Sequence, residues 1–111
     1  MLYKLIGEII KIKGKCVAGF KVGDKIDLTI PYTEGEVKKM DKKKQKFCGS
    51  FFYSIFPYIC TLQFGGTFPS QKKKNEKIVI CPDPVNTVTM KIRRIKIKNK
   101  IPGFFLKIYN V

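Results

Sequence analysis

One long apolar run, Phe47 to Phe64, stands between two lysine-rich stretches, while the other apolar segments are short and alternate as strands do. That contrast limits the chain to a small set of folds, because a single apolar helix has to lie against something and only strands are on offer. The run itself reads as helix: Cys48 falls near its first turn, Gly49 and Ser50 are capping candidates, and Gly65-Gly66 is the stop signal. Pro57 removes one backbone hydrogen bond and crowds the preceding turn, which predicts a kinked helix or two short pieces. A membrane-spanning helix needs about 20 predominantly apolar residues. With Pro57, Gly49, Ser50, Ser54, Thr61 and Gln63 inside the run, no span is expected.

Leu2 to Lys13 is dominated by β-branched residues, with Ile6, Ile10 and Ile12 on one parity and Leu5 and Ile9 on the other, as in a central strand. Lys25 to Ile30 alternates and is ended by Pro31. Lys77 to Cys81 reads as a buried strand stopped by Pro82. Val88 to Ile92 alternates until Arg93-Arg94 breaks the period, and Ile95 and Ile97 resume it, which predicts a bulge near the arginine pair. Pro31 to Lys46 is polar, with a dense charge run from Val37, and is expected to be a solvated loop. The tail from Ile101 to Tyr109 is apolar enough for one further edge strand.

The sum is a small α+β domain: a largely antiparallel sheet with one apolar helical region, kinked or split at Pro57, packed on a face. A chain of 111 residues with 44% hydrophobic content is expected to form a single domain, its core spanning about residues 4–97 and a C-terminal extension covering 98–111.

Net charge +15 points to an anionic partner, nucleic acid or an acidic protein, with Lys42, Lys43, Lys44, Lys72, Lys73, Lys74, Arg93 and Arg94 as the candidate contacts. Arginine is what bidentate phosphate recognition favours, and only those two arginines occur, so AT-rich codon usage explains the lysines equally well. The N-terminus lacks the basic and then apolar pattern of a secretory signal, and a cytoplasmic location is the default. In a reducing compartment four cysteines are expected to be free thiols or metal ligands.

There is no histidine. Three cysteines lie in turns marked by glycine or proline, at Gly14-Lys15-Cys16-Val17-Ala18-Gly19, Phe47-Cys48-Gly49 and Ile80-Cys81-Pro82-Asp83. No Cys-x-x-Cys pair presents two thiolates from one turn, so a site has to be assembled by the fold. Cys16, Cys48 and Cys81 are then candidate ligands for zinc or another soft metal, with Asp24 or Asp83 as weaker fourth ligands. Cys48 is also a candidate catalytic thiolate, since a helix N-terminus and nearby lysines favour the anion, although no histidine is present to act as its base. The bland alternative makes all of these cysteines core residues, and both aspartates acceptors of turn hydrogen bonds.

The loop Gly14-Lys15-Cys16-Val17-Ala18-Gly19-Phe20-Lys21-Val22-Gly23-Asp24, Tyr58 after Pro57, the turn Phe64-Gly65-Gly66-Thr67-Phe68-Pro69 and Cys81-Pro82-Asp83-Pro84 together resemble a family of small bacterial and archaeal conserved-hypothetical proteins. Its members share a Cys-x-x-Gly-His-Lys-x-Gly-Asp loop, a cysteine opening the helix and a Cys-Pro-Asp turn. The resemblance runs over roughly Lys4 to Ile97 and implies that Cys16, Cys48 and Cys81 belong to the pattern while Cys60 does not. Phe20 stands where the family carries histidine. No activity comes with the resemblance. The expectation is therefore a small cytoplasmic accessory or binding domain with a three-cysteine site, metal- or redox-linked. Its alternatives are a nucleic-acid-associated basic protein and a thiol-dependent enzyme centred on Cys48, and a homo-oligomer is compatible with each.

Overall fold

The computed structural model describes residues 3–42, 45–69 and 71–97. The strand expected over 101–109 lies outside the described residues, with the rest of the extension, and so do Lys43 and Lys44. The order of elements is β1 (Tyr3–Ile12), β2 (Lys25–Asp27), α1 (Glu34–Lys42), α2 (Gly49–Gln63), β3 (Glu76–Ile80) and β4 (Val88–Lys96). The strands form one antiparallel sheet in the order β2-β1-β4-β3, with α2 on one face, which is a small α+β fold. Central placement of β1 follows from its apolar residues on both parities.

Helix α2 buries Phe51, Ile55, Ile59 and Leu62, at the i, i+4, i+8 and i+11 spacing of one helical stripe. Leu5 and Ile9 of β1, Val88, Met90 and Ile92 of β4, Val79 of β3, Ile26 of β2, Leu28 just after it and Phe20 complete the core beneath it. Each fully buried aliphatic side chain here is worth about 1.5–3 kcal/mol of hydrophobic free energy. Gly7 leaves room for the core to close across β1: a Cβ there would overlap Met90 Sδ and lie 2.9 Å from Leu28 Cδ1.

Two expectations are corrected and a third is narrowed: of a kinked or a split helix at Pro57, the split form is excluded, because α2 runs unbroken from Gly49 to Gln63. The bond Pro57 forfeits is to the carbonyl of Tyr53, and both residues stand on the exposed side of the helix, so the unpaired carbonyl is not forced into the core. The polar stretch after Pro31 is not all loop, because Glu34–Lys42 is helix α1. Its start is a capping box: Thr33 Oγ1 accepts the Glu36 N–H at 3.1 Å, and Glu36 Oε1 accepts the Thr33 N–H at 3.0 Å. The bulge is in β1 at Ile10, where the register shifts between Ile9 and Lys11, and pairing continues unbroken through Arg93 and Arg94.

What breaks the β4 period is an arginine in a core position. Arg94 continues the inward parity of Val88, Met90 and Ile92 and is only 3% exposed, while Ile95 faces out. Its Nη1 donates to the carbonyls of Leu62 (3.2 Å) and Gly66 (2.6 Å), its Nε donates to Asn75 Oδ1 (3.0 Å), and the guanidinium lies 4.7 Å from the centre of the Tyr3 ring. This cation sits at the negative end of α2. The helix stops there as the paired glycines predicted: Gly65, at φ +95°, donates to Leu62 O, and Gly66 donates to Thr61 O at 2.8 Å, the two bonds of a Schellman motif. Beside them the buried Gln63 carboxamide takes both backbone groups of Ile30, at 2.8 and 2.9 Å, and ties the chain after β2 to the same helix end.

Candidate functional site

At the opposite end of α2 the three turn cysteines meet. Cys16, Cys48 and Cys81 line one cleft of about 320 Å³, with Phe20, Phe51 and Val88 as its apolar wall and Asp83 and Asn86 at its polar side. All three are half-buried free thiols packed against the core. Cys60 is a free thiol further along α2 and does not line this cleft.

Local sequence explains how each arrives. Cys81 ends β3, since Pro82 has no N–H for the sheet, and its own N–H donates to Val88 O at 2.9 Å. Its Sγ accepts the Val88 N–H at 3.1 Å and lies 3.5 Å from the carbonyl oxygen of Asn86. Asp83 shapes the turn between β3 and β4: Oδ1 accepts the N–H groups of Val85 (2.9 Å) and Asn86 (3.0 Å), and its carbonyl accepts the Thr87 hydroxyl at 2.7 Å. Those N–H groups, Asn86 first and Val85 second, hold the Asp83 carboxyl below the usual aspartate range.

The Cys16 loop is fastened to that same turn. The Lys13 N–H donates to Thr87 O at 2.8 Å, and the Lys15 N–H donates to Asn86 Oδ1 at 2.9 Å. Between them Gly14, at φ +79°, has no space for a side chain, since a Cβ would collide with Asn86 Oδ1 and lie 3.0 Å from Val85 O. Cys16 and Cys81 thus share one hydrogen-bonded base. Cys48 comes from a different element: it is the N-cap residue of α2, in extended conformation (φ −124°, ψ 112°), and its side chain makes no capping hydrogen bond.

Asp24 is not at the cleft. It closes the turn before β2, where Oδ2 accepts the Lys21 N–H at 2.9 Å and pairs with Lys46 Nζ at 3.0 Å. The Lys21 N–H, followed by Lys46, lowers its carboxyl pKa. Among the described residues, no three His, Cys, Asp or Glu side chains are placed to hold one metal ion. The cleft therefore gathers the thiols without presenting a finished coordination shell.

The basic candidates are scattered. Arg94 is buried at the end of α2 and cannot reach a surface ligand. Arg93 faces Glu8 at 3.8 Å and Glu76 at 3.9 Å, and Lys73 faces Glu76 at 3.9 Å. Lys72 and Lys74 are exposed before β3, and Lys42 lies in the last turn of α1. Among the described residues no helix is long and apolar enough to cross a membrane. No protein-family model, curated protein or solved structure matches the chain.

Proposed function

We propose that the protein is a cytoplasmic, non-enzymatic binding domain whose working part is the cleft between the Cys16 loop, the Cys48 helix end and the Cys81 turn. The observation that carries this is convergence: three cysteines remote in sequence line one cleft, and the fourth does not. Thiolates suit zinc and softer ions, and no imidazole competes as donor in a chain without histidine. Because no three ligands among the described residues already surround one point, ion binding draws the Cys48 end of α2 toward the paired loops. Redox linkage through the same thiols is the other form of this proposal. The resemblance to the small conserved-hypothetical family bears on it through one departure, which removes a donor. Phe20, where that family carries histidine, also lines the cleft.

The test is elemental analysis and thiol counting by intact mass on protein purified without oxygen, then on protein reconstituted with zinc or copper(I) under reducing conditions. The expected result is stoichiometric metal, or a defined thiol modification, that is lost in Cys16→Ser and Cys81→Ser and kept in Cys60→Ser. Absence of both from every preparation overturns the proposal.

A further inference from the structure

The sheet has two edges, and they are finished differently. On β2 the outward N–H and C=O of Asp27 are both taken by the Gln45 carboxamide, at 3.0 and 3.1 Å, so a side chain stands where another strand would pair. Among the described residues edge strand β3 has no such cover. Bonds from Cys81 N–H to Val88 O and from Arg94 N–H to Asn75 O fix its ladder to β4, and antiparallel alternation then turns the N–H and C=O groups of Ile78 and Ile80 outward. Among the described residues nothing pairs with those four groups. The side chains beside them, Ile78 and Ile80, are 50% and 60% exposed.

Two grooves run along this edge. One, of about 450 Å³, lies between β3 and α2, from Tyr58 and Lys77 to the Cys81 turn. The other, of about 370 Å³, is framed by Gln71, Lys72, Lys73 and Glu76, and both share Lys77 and Ile78. The Lys77 ammonium lies 5.3 Å from the Tyr58 ring centre and 5.2 Å from that of Phe68, so two rings hold a cation at the junction of the grooves.

We infer that β3 is a docking strand for an extended acidic peptide of a partner protein, which adds to the sheet beside Ile78 and Ile80. Main-chain bonds to an open edge supply affinity in this mode of recognition, and flanking pockets choose the side chains. Charge decides the occupant. Lys72, Lys73, Lys74 and Lys77 crowd one end and attract acidic residues, whereas a second copy docking edge to edge would bring together two chains of net charge +15. A paired peptide alternates: residues on the α2 side meet Lys77 and Tyr58, and those on the other side meet Ile78 and Ile80. Acidic and apolar residues in alternation fit both. This surface is separate from the three-cysteine reading, although the longer groove ends at the Cys81 turn.

A fluorescently labelled synthetic peptide alternating valine with glutamate, titrated onto the whole protein and followed by anisotropy, tests this. Tight binding is expected, weakened about tenfold or more by N-methylating the peptide on its sheet-facing amides, since each main-chain bond is worth about 1 kcal/mol and 1.4 kcal/mol is tenfold. Ile78→Pro removes one outward N–H and leaves the β4 ladder intact, and should weaken binding in parallel. Reversing Lys72, Lys73 and Lys74 to glutamate should do the same. The N-methylated peptide requires no protein variant to fold, so it decides alone if Ile78→Pro is unstable. No binding at low salt, equal binding of the methylated peptide, or equally strong displacement by an oligonucleotide of the same charge overturns the inference.

Discussion

A guanidinium buried without a carboxylate among the described residues is held at Arg94 by backbone carbonyls and one amide oxygen. Hydrogen bonds to a charged group are worth about 1.5–3 kcal/mol each, against a large desolvation cost. Arg94→Leu is expected to destabilise by about 3 kcal/mol in urea unfolding, and Arg94→Lys should not restore the loss, because an ammonium cannot span Asn75, Leu62 and Gly66 from one plane. At Asp83 the carboxylate is favoured in the fold, so its stabilisation is present above the ordinary aspartate value of about 3.9 and disappears as pH falls through its lower folded value. The stability gap between wild type and Asp83→Asn, measured by thermal melts across pH, should therefore be widest near neutrality and close in acid. Sequence placed both aspartates in turns correctly, since an aspartate beside glycine or proline accepts local N–H groups whatever surrounds it. It misplaced Arg94 because an arginine in alternating sequence looks exposed, and the carbonyls that receive it come from elements far away in the chain.

Local chemistry makes most elements visible before any folding is considered. The stop of α2 at Gly65-Gly66 and the end of β3 at Cys81-Pro82 are properties of the residues themselves. The start of α1 was equally local, written in Thr33 and Glu36, but the lysine run that follows hides it. Pro57 leaves kink and split undecided for the converse reason: its cost depends on whether the orphaned carbonyl faces water, and that is a property of the packed helix. Because proline in a helix interior is about 3 kcal/mol less favourable than alanine, Pro57→Ala is expected to raise stability by about 1–3 kcal/mol in urea unfolding, without changing the core.

For the whole molecule the charge dominates. At +15, self-repulsion opposes compaction, while exposed pairs such as Lys38 with Glu34 at 3.4 Å return about 0–1 kcal/mol. The melting temperature is therefore expected to rise with sodium chloride as the Debye length shrinks from about 30 Å at 0.01 M to about 8 Å at 0.15 M. The nucleic-acid alternative predicts the opposite trend for a complex: affinity for an oligonucleotide falls steeply over the same range, with a slope tracking the phosphates neutralised. Of the candidate site, sequence showed which cysteines lie in turns. The meeting of those turns depends on long-range bonds such as Lys15 to Asn86, which no local pattern encodes.

Those bonds divide the three thiols unequally. Cys16 and Cys81 belong to one braced platform, whereas Cys48 sits on the uncapped end of a helix whose far end is riveted by Arg94 and Gln63. Its near end is held by the buried Phe51 and by the Lys46–Asp24 pair, without a side-chain cap. A ligand that drew the three thiols together would therefore have to shift the first turn of α2 relative to the loop platform, while the far end of the helix stays tied by Arg94 and Gln63.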